Sequence, residues 1–390
     1  MPIKKTPYDC CGCTACEHIC PTGAITMQPD VLGFLYPQVD MGKCIDCGLC
    51  ERVCAFHDGY PHDDNLVRPD VYAVRHKQVE EIMKSRSGAM FAAISDWVIK
   101  QGGVVYGAGY EGHFRVVHKR ATTREERDEF RGSKYVQSDL GTVFKQVEAD
   151  LRAGLCVLFT GTPCHTAGLK SYLGLRRAPV AALFLVDIVC HGVPAPYIWR
   201  DYLRWLERRS RKEAVTVDFR DKLSFGWGAH VESVVWKDGT RQPFSHWTYL
   251  FYKHCMFRHS CGQCPFTNFA RPSDLTLADF WGWEKVDPAF NSDDKGCSLV
   301  LVNTEQGRRL FGHVEDELNV IPTDEAHAVQ PNLQRPSTID PSRDAFERDY
   351  ERHGFRYVMN RYGDTGWRLR LRRSLGRVKR GVLNFAKNKK

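Results

Sequence analysis

The first 54 residues hold nine of the chain's 16 cysteines, and eight of those nine repeat one spacing pattern. Each run reads C-x2-C-x2-C-x3-C, and the two runs are Cys10, Cys13, Cys16 and Cys20, followed by Cys44, Cys47, Cys50 and Cys54. In bacterial ferredoxins, three thiolates of such a run bind one 4Fe–4S cluster and the fourth binds the other cluster. The spacing therefore predicts one cluster on Cys10, Cys13, Cys16 and Cys54, and a second on Cys44, Cys47, Cys50 and Cys20.

Two other uses of cysteine fit this spacing less well. Structural zinc takes four ligands, usually as two CxxC-type pairs separated by a spacer. A disulfide framework needs an oxidising compartment, and residues 1–6 do not resemble the apolar core of a signal peptide. Cys11 stands outside the pattern and is expected to be a spare thiol.

The length and charge of the chain limit the classes of protein to which it can belong. A chain of 390 residues, 43% hydrophobic and 12% aromatic, suggests two or three globular domains. No apolar stretch of about 18 residues is present, so we expect no transmembrane span and a cytoplasmic location. The net charge of +8 comes from residues 367–390, which hold ten Lys or Arg and no acid, whereas the rest of the chain has 45 basic and 47 acidic residues.

Apolar residues recur at helical spacing in this basic tail. This pattern predicts a basic amphipathic helix, which suits peripheral docking to an anionic membrane surface or to a partner protein. The alternative is a solvated tail without a helix. No nucleic-acid partner is expected.

A second group of cysteines lies at turns farther along the chain. Cys164 and Cys190 each follow an apolar, strand-like run, and Cys261 and Cys264 form another CxxC. In open α/β sheets, ligands bind at the carboxyl ends of strands. These four thiols could hold a third 4Fe–4S cluster, while the alternative is that they are buried free cysteines. The three remaining cysteines have no partner spacing and are expected to be packing residues: Cys156, Cys255 and Cys297.

From residue 71 onward, apolar runs alternate with helical patterns, which predicts an α/β fold around a mostly parallel sheet. Helices are expected at 87–101, 142–153, 166–173 and 196–210, and an antiparallel hairpin at 231–244. We expect these units in order: a ferredoxin-type module (1–60), a linker (61–70), a flavoprotein domain in two parts (71–150 and 151–335) and an extension (336–390).

The run Gly107-Ala-Gly109-Tyr-Glu-Gly112 has the GxGxxG form of a dinucleotide-binding turn. That motif requires a helix immediately afterwards, so that a pyrophosphate meets the helix N-terminus. Residues 113–118 alternate like a strand instead. The run is therefore not expected to bind a dinucleotide.

Six segments together resemble the coenzyme F420 hydrogenase/dehydrogenase beta-subunit family, over about residues 70–330: 87–91, 131–138, 161–164, 190–194, 261–265 and 271–282. The resemblance implies a domain that binds FAD, exchanges a hydride with a soluble partner and passes electrons to iron–sulfur clusters. Three positions differ from the family pattern: Arg86 stands in place of a serine, Ala89 in place of a glycine, and His165 in place of a glutamine.

These motifs supply the candidate residues. FAD contacts are expected from Ser87, Gly88, Lys134, Tyr135, Gln137, Ser138, Gly161, Thr162, Asp279 and Trp281. Candidate proton-transfer groups are His191, Asp187 and His165, although the histidines could instead make structural hydrogen bonds. Lys134 and Arg131 are expected to offset phosphate charge.

Iron–sulfur clusters move single electrons, so they need a two-electron converter such as flavin to act on ordinary organic substrates. The first hypothesis is a flavin-dependent iron–sulfur oxidoreductase with a redox partner protein and a small-molecule substrate. The alternative is a non-catalytic electron-transfer subunit that couples a ferredoxin pool to another enzyme. A third hypothesis, a metal-binding interaction protein, would be favoured by zinc without iron.

Overall fold

The computed structural model describes residues 3–366, so the predicted amphipathic tail at 367–390 lies outside the described residues. The strands are β1 (Ile25–Pro29), β2 (Leu35–Val39), β3 (Asn65–His76), β4 (Val104–Glu111), β5 (Arg115–Ala121), β6 (Val157–Gly161), β7 (Leu183–Ile188), β8 (Ala214–Asp218), β9 (Glu232–Trp236), β10 (Arg241–Phe244), β11 (Leu275–Asp279), β12 (Ser298–Thr304) and β13 (Leu318–Thr323). The helices are α1 (Ala15–Ile19), α2 (Leu49–Arg52), α3 (Val79–Lys84), α4 (Met90–Lys100), α5 (Arg124–Asp128), α6 (Val143–Arg152), α7 (Pro163–Leu175), α8 (Pro196–Ser210), α9 (Lys222–Phe225), α10 (His246–Lys253), α11 (Glu305–Gly312), α12 (Glu325–Ala328), α13 (Arg343–His353) and α14 (Phe355–Arg361). No helix within residues 3–366 is long and apolar enough to cross a bilayer.

The two cysteine runs fold alike. In each run a short helix, α1 or α2, carries the third cysteine, and the antiparallel pair β1–β2 lies between the runs. Equivalent positions have left-handed backbones: Gly12 (φ 73°) matches Asp46 (φ 53°), and Thr14 (φ 63°) matches Gly48 (φ 68°). Left-handed residues in such loops turn successive N–H groups toward one point, as in many iron–sulfur sites. The sequence repeat is therefore also a repeat of backbone conformation.

The main sheet has eight strands in the order β13-β3-β12-β11-β7-β6-β4-β5. The prediction of a mixed α/β fold is confirmed, but the expectation of a mostly parallel sheet is wrong. Only the three central pairs, β11–β7, β7–β6 and β6–β4, are parallel. Outside them, β5 returns from β4 through a tight hairpin, and β12, β3 and β13 pair antiparallel with their neighbours.

The glycine-rich run lies in that hairpin. Gly107 and Gly109 are in β4, and Gly112 is in the turn to β5. No helix follows, so the prediction that this run is not a dinucleotide fingerprint is confirmed. The stretch expected to be a linker also differs from expectation, because β3 begins at Asn65 and runs through its second half. Its polar residues are accommodated because Asp63, Asp64 and Arg68 are exposed.

The helices that flank the central strands follow the predicted apolar spacing. Helix α4 buries Ile94 and Val98, and Thr123 starts α5 with a capping box to Glu126. Pro163 is the first residue of α7, where its missing N–H costs no hydrogen bond. The predicted hairpin is confirmed as β9–β10, which joins β8 in a separate three-stranded sheet.

The N-terminal module packs directly against this body. Leu32 and Phe34 enter the core around α8, while Ile19 and Val53 enter the core between α6 and α7. At roughly 25 cal/mol per Å² of apolar surface removed from water, such shared cores favour one fixed arrangement of module and body. Cys11, Cys13 and Cys54 are thereby held against Cys164 and Ala167 of α7, which follows β6.

Candidate iron–sulfur and cofactor sites

Four thiols of the N-terminal module face one another next to the body: Cys10, Cys13, Cys16 and Cys54. Burial raises the pKa of the Cys16 thiol well above its usual value, and the other three thiols raise it further. Burial likewise raises the pKa of Cys54, with Cys13 adding to the effect. Cys13, Cys16 and Cys54 also pack in one apolar cluster. We call the set of four thiols the inner cluster site.

The other four module cysteines line a single small cavity, the outer cluster site: Cys20, Cys44, Cys47 and Cys50. Backbone N–H groups already point at two of these sulfurs. The N–H of Ala24 donates to the Cys20 Sγ at 3.3 Å, and that of Ile3 donates to the Cys50 Sγ at 3.3 Å. Cys47 is exposed, so this site lies at the protein surface.

The four candidate cysteines of the body also come together. Cys164 in α7, Cys190 after β7, and Cys261 and Cys264 border one cavity, the body cluster site. The N–H of Gly192 donates to the Cys190 Sγ at 3.4 Å, and the Thr162 hydroxyl lies 3.2 Å from the Cys164 Sγ. These are contacts that stabilise thiolates, because an ionised sulfur is a better hydrogen-bond acceptor than a thiol.

The spare thiol Cys11 lies between two of these sites. It packs against Cys13 of the inner cluster site and Cys164 of the body cluster site, and these two thiols raise its pKa well above the usual value. Cys11 also borders the body cluster site cavity. The two sites are therefore neighbours, separated by little more than one side chain.

The remaining cysteines lie apart from these sites. Cys255 and Cys297 are fully buried in apolar cores, and Cys156 packs at the edge of another. Across residues 3–366, no three His, Cys, Asp or Glu side chains converge at the distances of a single metal ion. Eight of the twelve candidate thiols border two separate cavities, those of the outer and body cluster sites.

A cavity of about 340 Å³ opens at the carboxyl ends of the central strands, and we call it the strand-end cavity. Ten sequence-predicted residues line it: Ser87, Lys134, Tyr135, Ser138, Gly161, Thr162, His165, His191, Asp279 and Trp281. Cys190, Gly192 and Val193 border both this cavity and the body cluster site. The two spaces therefore share a wall.

Three predicted residues do not line the strand-end cavity. Along β7, Val186 and Ile188 border it while Asp187 lies between them and points to the other face of the sheet, as strand alternation requires. Asp187 is fully buried, 3.0 Å from the Arg271 guanidinium. This placement corrects the expectation that Asp187 flanks the reacting centre.

The same alternation applies to Gln137. Val136 and Ser138 line the cavity, whereas the Gln137 Nε2 donates to the Cys11 carbonyl at 2.8 Å on the opposite side. Gly88 lies behind the cavity wall, where its N–H donates to the Ser298 Oγ at 2.8 Å. A Cβ at Gly88 would lie 2.1 Å from the Val74 carbonyl oxygen, so glycine is needed for packing there.

The two predicted counter-charges are partly engaged within the protein. Arg131 is paired with Glu81 and Asp128, each at 2.6 Å. The Lys134 ammonium donates to two backbone carbonyls, and burial lowers its pKa to about 7. Arg86 and Arg220, which sequence reasoning missed, also line the cavity, and their buried Nε atoms have no hydrogen-bond partner.

His165 is the least satisfied polar side chain of this wall. It is fully buried, and neither ring nitrogen has a hydrogen-bond partner. The neighbouring His118 ring, 5.4 Å away, is satisfied by the Ser138 hydroxyl at 2.8 Å and the Thr160 carbonyl at 3.0 Å. An imidazole with two free nitrogens costs free energy unless a ligand bonds to it. His191, in contrast, is exposed at the rim.

The N-terminus of α4 also faces the cavity. Ala89, Met90 and Phe91 line it, and the first turn of α4 has no side-chain cap. The free N–H groups of a helix N-terminus are a common binding site for phosphate groups. The cavity therefore combines uncapped N–H groups, arginine side chains and an unsatisfied imidazole.

Comparisons with known proteins agree with the division into a cluster module and a body. Residues 155–326 match the family described as the C terminus of the coenzyme F420 hydrogenase/dehydrogenase beta subunit, and residues 9–57 match the 4Fe-4S dicluster domain. The F subunit of the F(420)H(2) dehydrogenase from Methanosarcina mazei is 22% identical over 331 residues, which cover 80% of this chain and 84% of that protein. A chain of the F420-reducing [NiFe] hydrogenase complex from Methanosarcina barkeri aligns with a TM-score of 0.47 and 16% identity, over 77% of this chain and 92% of that one.

Proposed function

We propose that this chain is an iron–sulfur flavoprotein oxidoreductase, because residues 9–57 match the 4Fe-4S dicluster domain and residues 155–326 match the C terminus of the coenzyme F420 hydrogenase/dehydrogenase beta subunit. It relays single electrons between three 4Fe–4S clusters and an FAD in the strand-end cavity. The observation that carries the proposal is the shared wall at Cys190, which borders both the body cluster site and the strand-end cavity.

The inner, outer and body cluster sites each hold one cluster through their four cysteines. The donor sets fit this role, because each consists of four thiols and 4Fe–4S clusters are held by four cysteine thiolates. Peptide N–H groups directed at the Cys20, Cys50 and Cys190 sulfurs support the assignment, because such hydrogen bonds help to set cluster potentials. The body cluster lies outside the residues that match the dicluster domain, so its assignment rests on the four body cysteines alone.

The order of the relay follows from burial and adjacency. The outer cluster site is at the surface, the inner cluster site is covered by the body, and Cys11 links the inner to the body cluster site. Exposed Met41 (66%) and Ile45 (63%) lie beside the outer cysteines, where a redox partner protein would dock. Electrons pass between that surface and the strand-end cavity in this sequence or its reverse.

The residues of the strand-end cavity fit FAD. The uncapped N-terminus of α4, with Arg86 and Arg220 near it, suits the anionic pyrophosphate. The two free nitrogens of His165 suit the polar edge of the ring system, next to the body cluster site. A bound flavin supplies the exchange between two-electron and one-electron chemistry.

The chain's own residues orient the reactants and move protons. His165, whose ring nitrogens have no partner in the protein, would hydrogen-bond to a bound cofactor from within the wall, and His191 at the rim is placed to exchange a proton with a substrate. Tyr252 and Trp281 are half-exposed at the mouth and offer aromatic faces to a small organic substrate or coenzyme. Asp187, through Arg271, keeps the strand end in place.

The alternative is a relay subunit that turns over no small molecule by itself. The Methanosarcina mazei relative is named as one subunit of a dehydrogenase, which favours a partner protein in either case. Turnover of a small substrate by the isolated chain separates the two possibilities, because the relay alone would exchange electrons only with its protein partners.

The flavin assignment predicts the effect of a negative charge at the rim. Ser133 is exposed, lines the strand-end cavity and lies in the loop that Arg131 ties to Ser85. We expect Ser133→Glu to weaken flavin binding roughly five- to tenfold, the scale of a charge effect of ~1 kcal/mol near a helix N-terminus. Flavin retained after anaerobic gel filtration and a titration of added FAD measure this effect.

The matched control is Ser133→Gln, which has the same length and no charge. It should retain wild-type flavin content. Equal flavin affinity in the Glu and Gln variants would mean that no anionic part of a cofactor lies near this loop.

The proposed relay is tested by anaerobic mixing of the holoprotein with a reduced bacterial-type 2×4Fe–4S ferredoxin. We expect the clusters to be reduced first and the visible absorbance of the flavin to fall afterwards. Reduced clusters beside a flavin that stays oxidised would contradict the relay, and a holoprotein without flavin would exclude the oxidoreductase proposal.

A further inference from the structure

Arg258 occupies the space between the inner and body cluster sites. Its side chain comes from the body, is fully buried, and reaches into the N-terminal module. There its Nε donates to the Cys10 carbonyl at 2.6 Å and its Nη2 donates to the Leu35 carbonyl at 2.8 Å. Nη2 also lies 3.5 Å from the Cys10 Sγ. The same residue borders the body cluster site cavity.

The backbone of the inner cluster site is shaped to admit this guanidinium. Gly12 has a left-handed backbone, and a Cβ at that position would lie 2.8 Å from the Arg258 Nη1. On the other side, the guanidinium carbon lies 4.2 Å from the centre of the Tyr36 ring. Gln137 completes the arrangement by accepting from Nη1 at 3.0 Å.

Arg258 differs from the other fully buried arginines in its lack of a carboxylate. Arg127 pairs with Asp96 at 2.5 Å, Arg271 with Asp187 at 3.0 Å, and Arg343 with Glu347 at 2.6 Å. No Asp or Glu within residues 3–366 makes an ion pair with Arg258, whose contacts are carbonyls, an amide, a ring and a thiol. A buried charge without an opposite charge is strongly unfavourable.

The missing negative charge is available on both sides. A 4Fe–4S cluster with four thiolate ligands is a net anion, and Arg258 lies against one such ligand set and borders the other. We propose that Arg258 is the shared counter-ion of the inner and body clusters. Arg258 fixes the N-terminal module against the body and raises the reduction potentials of both clusters. This proposal rests on the proposed iron–sulfur function.

The sign of the effect follows from electrostatics. Reduction adds negative charge to a cluster, and a buried cation in a medium of low dielectric stabilises that charge. Removal of the cation therefore lowers the potential, and net charge and hydrogen bonds to sulfur are known determinants of cluster potentials. The outer cluster, on the far side of the module, serves as an internal reference.

The test is a redox titration of the anaerobically purified full chain, followed by electron paramagnetic resonance, with iron counted in each sample. We expect Arg258→Gln to shift the midpoints of the inner and body clusters to lower potential while the outer cluster keeps its midpoint. Arg258→Lys retains the charge but not the forked donor geometry, so it should shift both midpoints less. Arg127→Gln, a buried arginine with its own carboxylate, should leave all three midpoints unchanged.

Unchanged midpoints in Arg258→Gln with full iron would overturn the proposal, as would an equal shift in the Arg127→Gln control. If Arg258→Gln does not fold, the Lys variant decides: lower inner and body midpoints beside an unchanged outer midpoint would support the proposal, and three unchanged midpoints would overturn it. About eight irons per wild-type chain would mean that no body cluster is present, and Arg258 could then not be shared between two clusters. Absence of flavin would contradict the proposed function but leave the counter-ion proposal standing.

Discussion

Replacement of Cys190 by serine is expected to remove about four of twelve irons per chain, because a 4Fe–4S cluster loses stability when one of its four thiolates is lost. The Cys190 Sγ accepts from the Gly192 N–H at 3.4 Å and shares its cavity with Cys164, Cys261 and Cys264. Serine is nearly the same size, so the fold should be retained. Iron and acid-labile sulfide measured per chain give the result.

The same variant should interrupt electron flow. Cys190 lies in the wall between the body cluster site and the strand-end cavity. With the body cluster absent, reduced ferredoxin should still reduce the two N-terminal clusters but should reduce the flavin far more slowly. The control is Cys156→Ser, since Cys156 borders none of the three cluster sites. Full iron and unchanged flavin reduction in Cys190→Ser would show that this cysteine is no ligand.

The second large effect is expected at Gly168 in α7. A Cβ at this position would lie 2.8 Å from the Cys13 Sγ and 2.9 Å from the Cys13 Cβ. Cys13 cannot move away when its sulfur is bound to a cluster. We therefore expect Gly168→Ala to lose iron from the inner cluster and to destabilise the fold by about 1–3 kcal/mol, the usual cost of overpacking. Iron content and the midpoint of thermal unfolding measure both effects.

Gly174 provides a control in the same helix. It is exposed, and a Cβ there meets nothing within 4 Å. Alanine favours helix over glycine by up to about 1 kcal/mol, so Gly174→Ala should keep its iron and unfold at the same or a higher temperature. If both variants gained stability and kept their iron, the result would contradict the close packing of α7 on the inner cluster site.

The 4Fe–4S dicluster module could be predicted from the sequence because the spacing of its cysteines is local. Within each run, left-handed residues at fixed positions, such as Gly12 and Asp46, turn the loop around its cluster. Two to three residues between cysteines suffice to specify that shape. The body cysteines were harder to group, because Cys164 and Cys261 are distant in sequence and only the sheet brings their loops together.

The lining of the strand-end cavity was predicted only in part, for physical reasons. Motif segments pointed to the correct loops, but neighbours within a segment face opposite sides, so Gln137 and Asp187 were assigned to the wrong side. The antiparallel flank of the main sheet was missed because β3 pairs with β12 and β13, more than 200 residues later. Arg258 carried no signal of its own, since its environment comes from Cys10, Leu35 and Gln137.

The most direct measurement of the central claim is the cofactor content of the anaerobically purified wild-type chain. Three clusters and one flavin predict about twelve irons, about twelve acid-labile sulfides, one FAD and no zinc per chain. About eight irons without flavin would contradict the account, because the chain would then be a ferredoxin-type carrier with no converter behind it.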